Sequence, residues 1–105
     1  GTEVTIQSFD FRVLQYIHEK YPDIRLVALV ENSDGVAANL EALGFTPEVY
    51  SPWYKMLSKE SVDSVHRKNM KLIPWTVNDT TSMRQLIGWG VDGIITDYPN
   101  LAQKL

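Results

Sequence analysis

Short β-rich runs alternate with amphipathic helical runs along the whole chain, and this alternation constrains the fold more than any other feature of the sequence. Residues 4–9 are rich in β-branched and aromatic side chains, and Arg25–Val30 is almost continuously apolar. The second pattern is typical of a strand buried on both faces of a parallel sheet. Runs with apolar residues three or four positions apart follow both segments. The order predicts βαβ units, a parallel sheet and right-handed crossovers.

Four or five strands and five helices are predicted from these patterns, with the short run 48–51 as the strand that the count leaves open. The strands are residues 4–9, Arg25–Val30, 48–51, 72–77 and a last strand within 91–97. The helices are residues 11–21, Val36–Leu43 and 59–69, a helix that ends at Gly90, and a terminal helix with Pro99 in its first turn. Expected caps are Asp10 for the first helix, Asn32 or Ser33 for the second, and Asn78, Asp79 or Thr80 for the fourth. Gly44 is expected in the left-handed position that ends the second helix. Residues 52–57 are predicted to form a loop with an exposed aromatic pair, Trp53 and Tyr54.

Composition excludes several classes of protein. The chain has 105 residues, 44% of them hydrophobic and 22% charged, which is ordinary for one globular domain. It has no cysteine, which excludes a disulfide framework and a thiolate metal site. A net charge of −3 with scattered basic residues argues against nucleic-acid binding. The longest apolar run, residues 26–30, is too short to cross a bilayer, and the first residues lack the features of a signal peptide. We expect Gly1 to mark the start of a fragment, and no compartment is indicated.

Polar and aromatic residues occur where four of the predicted strands end. In parallel α/β folds the carboxyl ends of the strands meet the ligand, so these groups are expected on one rim. They suit a pocket that donates hydrogen bonds, but few of them transfer protons near neutral pH. The four groups are Gln7-Ser8-Phe9, Tyr50-Ser51-Pro52-Trp53, Trp75-Thr76-Val77-Asn78 and Thr96-Asp97-Tyr98-Pro99.

The titratable candidates are weak. His18 and His66 lie late in predicted helices without metal-ligand spacing, and we expect both to be ordinary surface residues. Asp97 could be an acid, a base or a metal ligand, but its place before Pro99 favours a helix N-cap. Asp92 is expected to stabilise a turn. Glu31, which closes the second strand, is a weak metal candidate because Mg²⁺ and Ca²⁺ need several oxygen ligands.

The aromatic candidates leave alternatives open. Trp75 could fill the core or form the apolar wall of a ligand pocket, and general experience with buried aromatics slightly favours the core. Trp53 and Tyr54 could form a contact surface for a substrate or partner. Trp89, at the end of a helix, is expected to pack.

Three motifs, in order, resemble the C-terminal motifs of the glycerophosphodiester phosphodiesterase family. They are V-T-I-Q-S-F-D at residues 4–10, L-I-P-W-T-V-N at 72–78 and G-V-D-G-I-I-T-D-Y-P at 90–99. The resemblance covers the whole chain, and S-P-W-Y at 51–54 is similar to some bacterial members. The resemblance implies a TIM-type barrel that hydrolyses glycerophosphodiesters to an alcohol and glycerol 3-phosphate. It also implies a divalent cation, Ca²⁺ or Mg²⁺, held by carboxylates, with two histidines as acid and base and an arginine on the phosphate.

The family's catalytic motifs (H-R-G, E-x-D, H-D and I-E-x-K) belong to the N-terminal half and do not occur in this sequence. We therefore assign no catalytic residue and no metal ligand to this chain. What the resemblance assigns is a pocket and its rim. Phe9 and Trp75 are expected to line the apolar side against the glycerol. The further pocket residues are Ser8, Asn78 and Trp53, and the residues expected to hold the rim in shape are Thr76 and Asp97.

The sequence thus predicts an α/β fold in which residues 1–105 form one C-terminal half of a TIM-type (β/α) barrel with parallel strands and alternating helices. Alone it should be inactive and bind no cofactor. Its expected partner is the missing N-terminal half or a second copy, with a glycerophosphodiester as substrate of the intact enzyme and neither nucleic acid nor a transmembrane segment involved. One alternative is a non-catalytic half-barrel module that self-associates or binds a ligand or partner through its aromatic rim. A weaker one is a phosphate-binding half-barrel that uses the helix start near Pro99.

Overall fold

The computed structural model describes residues 4–103, with the side chain of residue 102 left aside, so the expected fragment start at Gly1 lies outside the described residues. The predicted alternation of strands and helices is confirmed. The elements are β1 (Thr5–Ser8), α1 (Phe11–Lys20), β2 (Arg25–Val30), α2 (Val36–Leu43), β3 (Val49–Pro52), a 3₁₀ turn (Tyr54–Met56), α3 (Lys59–Arg67), β4 (Lys71–Leu72), α4 (Thr80–Trp89) and α5 (Pro99–Ala102).

The strands form one parallel sheet in the order β1-β2-β3-β4, so each strand lies beside the next one in the chain. Register pairs Ser8 with Ala28, Ala28 with Tyr50, and Tyr50 with Leu72. An open doubly wound sheet reverses its strand order and carries helices on both faces. This sheet does neither over its length. The continuous order therefore favours a piece of a barrel over an open sheet, a choice that periodicity alone left undecided.

The hydrophobic core lies on one face of the sheet. Leu26, Ala28 and Val30 alternate along β2 towards the helices, because successive side chains of a strand point to opposite faces. One cluster joins β2 to α1 and α2 through Leu14 and Leu43. A second cluster joins the ends of β2, β3 and β4 to α3, through Val30, Tyr50, Val62, Val65 and Leu72. Helices α1, α2 and α3 thus cover the same face, as in the outer layer of a barrel.

The predicted strands 72–77 and 91–97 are not continuous strands. Only Lys71–Leu72 is regular, and Pro74 explains the interruption because proline has no N–H to donate. The pairing nevertheless continues: the Trp75 N–H donates to the Pro52 carbonyl at 3.1 Å, and the Ile95 N–H donates to the Pro74 carbonyl at 3.0 Å. Residues 92–95 therefore occupy the place of a fifth strand beside β4.

The helix ends agree with the sequence in most places. Asp10 caps α1 by accepting the Arg12 N–H at 2.9 Å, Asp79 caps α4, and Gly44 is left-handed with φ 88°. The expected cap of α2 by Asn32 or Ser33 is wrong: Gly35 occupies that position without a side-chain hydrogen bond. Asn32 instead forms two hydrogen bonds, at 2.9 and 3.0 Å, with the buried side-chain amide of Asn39. Within residues 4–103, no helix has the length and apolar character that a bilayer crossing requires.

Candidate functional site at the carboxyl ends of the strands

The face of the sheet opposite the helices carries the candidate site. Residues in register point to the same side of a sheet, so Gln7, Val27 and Val49 share this face, as do Leu29 and Ser51. Continuing the alternation to the ends of the strands brings three aromatic residues onto the same side. They are Phe9 after β1, Trp53 after β3, and Trp75 after β4.

Phe9 and Trp75 meet edge-to-face, with ring centroids 5.6 Å apart and an interplanar angle of 89°. Two strands separate β1 from β4, so the contact requires the sheet to curl towards this face. The Trp75 indole N–H donates to the Ser51 carbonyl at 2.8 Å, which fixes the ring. Ser51 is fully buried and donates to the Ile73 carbonyl at 2.6 Å. Trp75 is half-buried and Phe9 is 50% exposed, so the pair forms an apolar wall with one accessible side.

Trp53 lies on the rim beside Trp75. The two residues form an isolated parallel bridge, and the Trp53 N–H donates to the Val30 carbonyl at 2.9 Å. Its side chain stays 37% exposed, with the Lys55 ammonium 5.7 Å from the ring centroid. The expected exposure of Tyr54 is wrong. Tyr54 is half-buried and packs against a core cluster formed by Val77, Met83 and Leu86.

Asn78 ties the end of the β4 segment to the segment before α5. Its amide oxygen accepts the Thr96 hydroxyl at 3.2 Å and the Asp97 N–H at 3.0 Å, while its amide nitrogen donates to the Asp97 carboxylate at 3.0 Å. The favoured N-cap role of Asp97 is wrong: Tyr98 is the N-cap of α5, and its N–H donates to the Thr96 hydroxyl. Because Pro99 is the first residue of α5, the N-cap position falls on Tyr98, and Asp97 lies one residue before it.

Ser8 is the last residue of β1, and its hydroxyl accepts the Asp10 N–H of the turn that follows at 2.9 Å. Thr76 is half-buried on the segment between Trp75 and Asn78. The Asp10 carboxylate accepts two hydrogen bonds from the Arg12 guanidinium, at 3.0 and 3.2 Å, and these bonds lower the pKa of the Asp10 carboxyl. Ser8 and Asp10 therefore shape the turn that places Phe9 on the rim.

Both histidines lie away from the rim. His18, in the last turn of α1, stacks on Phe45 with ring centroids 3.9 Å apart. His66, near the end of α3, contacts the Asp92 carboxylate at 2.7 Å. The same carboxylate oxygen accepts the Leu72 N–H at 2.8 Å. Helices run back towards the amino ends of the strands, so both contacts belong to the opposite end of the sheet from Trp75.

The sequence did not indicate the contacts of Asp92. We expected Asp92 to stabilise a turn, and its carboxylate also joins His66 of α3 to Leu72 at the end of β4. Burial by itself would raise the pKa of Asp92, but the hydrogen bonds from Leu72 and His66 lower it below its ordinary value. No local signal distinguishes this aspartate, because its partners lie 20 and 26 residues earlier in the chain.

A cleft and a smaller cavity lie near the strand ends. A cleft of about 490 Å³ opens where β1 and β2 end, and it is lined by Phe9, Asp10, Phe11, Leu29, Val30, Glu31 and Asn32. A smaller cavity of about 100 Å³ lies on the helix side, between Asn32, Tyr50 and the start of α3. Among residues 4–103, no group of three or more histidine, aspartate or glutamate side chains could hold a metal ion.

Comparison with known proteins places these motifs in one group of enzymes. The family model described as the glycerophosphoryl diester phosphodiesterase family matches residues 1–101. A glycerophosphodiester phosphodiesterase of Bacillus subtilis (strain 168) is 34% identical over 106 residues, covering 98% of this chain and 36% of that protein. The match falls in the C-terminal portion of such relatives.

Solved structures agree with the fold. A Silicibacter pomeroyi DSS-3 protein assigned to the glycerophosphoryl diester phosphodiesterases superposes with a TM-score of 0.84 at 25% identity, covering 95% of this chain and 36% of that one. A glycerophosphodiester phosphodiesterase of Parabacteroides distasonis ATCC 8503 gives a TM-score of 0.76 at 30% identity, covering 93% and 40%. The chain therefore spans well under half of the length of each relative. Its α/β fold of parallel strands matches part of their barrels.

Proposed function

We propose that this chain, which belongs to the glycerophosphoryl diester phosphodiesterase family, builds part of the pocket of an enzyme. That enzyme would hydrolyse glycerophosphodiesters to an alcohol and glycerol 3-phosphate. The Phe9–Trp75 wall is the observation that carries the proposal. It faces away from the helices, at the strand ends where barrel enzymes bind their substrates. The hydrogen bond from Trp75 to Ser51 holds the wall in place before a substrate arrives.

The wall would contact the carbon skeleton of the glycerol. Trp75 offers a fixed, half-buried ring, and burying a few CH and CH₂ groups on it contributes about 0.8 kcal/mol for each CH₂. Ser8 and Asn78 support the wall from either side by fixing the turn before α1 and the segment before α5. Thr76 and Asp97 belong to the same supporting rim.

The divalent cation of the family is proposed to be Ca²⁺ or Mg²⁺, held by residues outside this chain. The described carboxylates do not fit such an ion. Asp10 is engaged by Arg12, Asp97 by Asn78, and Asp92 lies at the other end of the sheet. Glu31 alone supplies too few oxygens.

The open ends of the sheet support a partner that completes the barrel. β1 has no strand on its outer side among the described residues, and α1 next to it exposes Val13 and Tyr16. At the other end, Ile87, Ile95 and Tyr98 are exposed. Apolar surface beside unpaired strands is a site of association.

Strand number favours the N-terminal part over a second copy as that partner. The sheet has four strands, and residues 92–95 pair beside β4 as a fifth. A TIM-type barrel closes with about eight strands, so about three more are needed. Two copies would bring about ten, which overfills that barrel. We therefore propose the N-terminal part as the partner in the active enzyme.

Complementation tests the function directly. The chain alone, the N-terminal part of the parent protein alone, and the two together are incubated with glycerophosphoglycerol and either Ca²⁺ or Mg²⁺. Release of glycerol 3-phosphate only in the mixture is the expected result. Hydrolysis by this chain alone would overturn the proposal that the catalytic groups lie outside it. No hydrolysis by the mixture or by the intact parent would overturn the enzymatic proposal.

The exposed Trp53 favours a second function of a different class, a non-catalytic module that binds through its rim. Gel filtration of the same mixture separates the two. A stable complex in which no glycerophosphodiester is hydrolysed supports the module.

A further inference from the structure

We infer that Ser51 is a positioning residue of the proposed pocket, because its hydroxyl supplies a hydrogen bond that the backbone of Pro52 cannot make and thereby holds Trp75 in place. The inference rests on the proposed function and adds a residue to it. The Ser51 side chain is fully buried in β3. It therefore acts on a substrate through the orientation of Trp75 and not by direct contact.

The backbone ladder between β3 and the segment that begins with β4 is interrupted at Pro52. The Ile73 N–H donates to the Tyr50 carbonyl at 3.1 Å. The Trp75 N–H donates to the Pro52 carbonyl, also at 3.1 Å. In a parallel ladder these two hydrogen bonds are separated by one in the opposite direction, from the N–H of residue 52 to the Ile73 carbonyl. Pro52 has no N–H, so the backbone cannot form this hydrogen bond.

The Ser51 hydroxyl replaces the missing donor. It donates to the Ile73 carbonyl at 2.6 Å, which is the carbonyl that an N–H at residue 52 would reach. The pairing then continues towards the rim, where the Tyr54 N–H donates to the Trp75 carbonyl at 2.9 Å. Ser51 therefore helps to keep the two segments in register up to the position of Trp75.

The register of these segments sets the orientation of the Trp75 ring. The indole N–H donates to the Ser51 carbonyl at 2.8 Å, so Ser51 contacts both the ring and the segment that carries it. The same ring meets Phe9 with centroids 5.6 Å apart. A shift of the Trp75 backbone relative to β3 would disturb both contacts. Loss of the Ser51 hydroxyl should therefore loosen the wall without removing it.

A positioning role and a purely structural role differ in their effect on kinetics. The Phe9–Trp75 wall is proposed to contact glycerol carbons that do not react, so a looser wall should raise KM and leave kcat nearly unchanged. A purely structural role would reduce the amount of folded enzyme, which lowers the apparent kcat and leaves KM unchanged. The net value of one hydrogen bond corresponds to about a fivefold change in an equilibrium constant.

The test compares Ser51→Ala with Ser58→Ala in the intact parent enzyme. Ser58→Ala is the matched control, because it removes a hydroxyl that caps α3 by accepting the Ser61 N–H at 3.2 Å. The indole NMR signal that disappears in Trp75→Phe identifies the ring. We expect Ser51→Ala to shift this signal and to speed hydrogen exchange of the indole N–H about fivefold. KM for glycerophosphoglycerol should rise up to about fivefold while kcat stays within about twofold. Ser58→Ala should leave the signal and KM unchanged.

Pro52→Ala provides a rescue, because it restores an N–H at residue 52. That N–H can donate to the Ile73 carbonyl, so adding Ser51→Ala in this background should change KM and the exchange rate by less than about twofold. Both proteins of this comparison lack the proline, so the packing lost with its ring cancels.

Three results would overturn the inference: an unchanged Trp75 signal in Ser51→Ala, an equal effect of Ser58→Ala, or an effect of Ser51→Ala that is as large in the Pro52→Ala background. A shifted Trp75 signal without a rise in KM would overturn the role of Ser51 in the pocket. If the parent hydrolyses no diester while the Trp75 signal still responds to Ser51→Ala, Ser51 positions the ring and the proposed enzymatic function fails.

Discussion

Asp92→Ala is expected to destabilise the fold by about 2–3 kcal/mol, although Asp92 lies far from the candidate site. One carboxylate oxygen accepts the Leu72 N–H at 2.8 Å and contacts His66 at 2.7 Å. Leu72 is fully buried, so its N–H would be left unpaired at a cost of about 1–3 kcal/mol. The side chains of His66 and Asp92 are 37% and 29% exposed, so their contact adds only about 0.5 kcal/mol.

Asp92→Asn should cost less, about 1 kcal/mol, because the amide oxygen can still accept the Leu72 N–H. Urea unfolding followed by circular dichroism measures both variants. With a slope of about 1–3 kcal/mol per molar urea, Asp92→Ala should lower the midpoint by about 1 M. Asp63→Ala is the matched control: its carboxylate makes an exposed contact of 3.6 Å with Lys59, so the expected change is below about 0.5 kcal/mol.

The contribution of Asp92 should also depend on pH. Its pKa is lowered in the folded chain, so the folded state holds the proton less tightly than the unfolded state does. The stabilisation is therefore complete above the ordinary aspartate pKa of 3.8 and is lost as the pH falls through the lower, folded value. The difference between the chain and Asp92→Asn should shrink in this acid range. A difference that is constant from pH 7 to about pH 2, or an Asp63→Ala effect as large as that of Asp92→Ala, would refute the reasoning.

Four other substitutions have expected outcomes. Trp75→Phe keeps an aromatic wall but removes the indole hydrogen bond to the Ser51 carbonyl, so stability should fall by about 0.5–1.5 kcal/mol in urea unfolding, and KM should rise in the complemented enzyme. Asn78→Asp places a second carboxylate beside Asp97, and the two negative charges repel each other, so this variant should be most destabilised at pH 7 and least below about pH 4, where carboxylates are largely neutral. Gly90→Ala should cost about 1 kcal/mol because φ is 95°, whereas Gly88→Ala within α4 should stabilise the fold by about 0.5–1 kcal/mol. Neither new Cβ meets an atom within 4 Å, so the two effects come from the backbone. Melting temperatures that shift equally and in the same direction would contradict both expectations.

The sequence identified most elements because their signals are local. The caps Asp10 and Asp79 and the left-handed Gly44 follow from side chains that bond within three residues or from the absence of a Cβ. The cap of α2 was wrong for a physical reason. Asn32 finds a better partner in Asn39, a buried amide seven residues away, and a pattern of neighbouring letters does not reveal such a pair.

The family and the order of the motifs were also determined by the sequence, and the family model, the relatives and the fold confirm them. The particular pocket roles given to Ser8, Phe9, Trp53, Trp75 and Asn78 stay predictions. The structure adds the contacts through which the proposed experiments can test them.

Only the tertiary structure decided how these residues meet. Phe9 and Trp75 are 66 positions apart in the sequence, and their contact depends on how far the sheet curls. The Asp92 contacts with Leu72 and His66 likewise depend on which elements become neighbours in space. Hydrophobic periodicity fixes which face of each element is buried, because it is a property of one segment. Contacts between segments arise from packing, and the sequence alone determined the parts of the rim but not their arrangement.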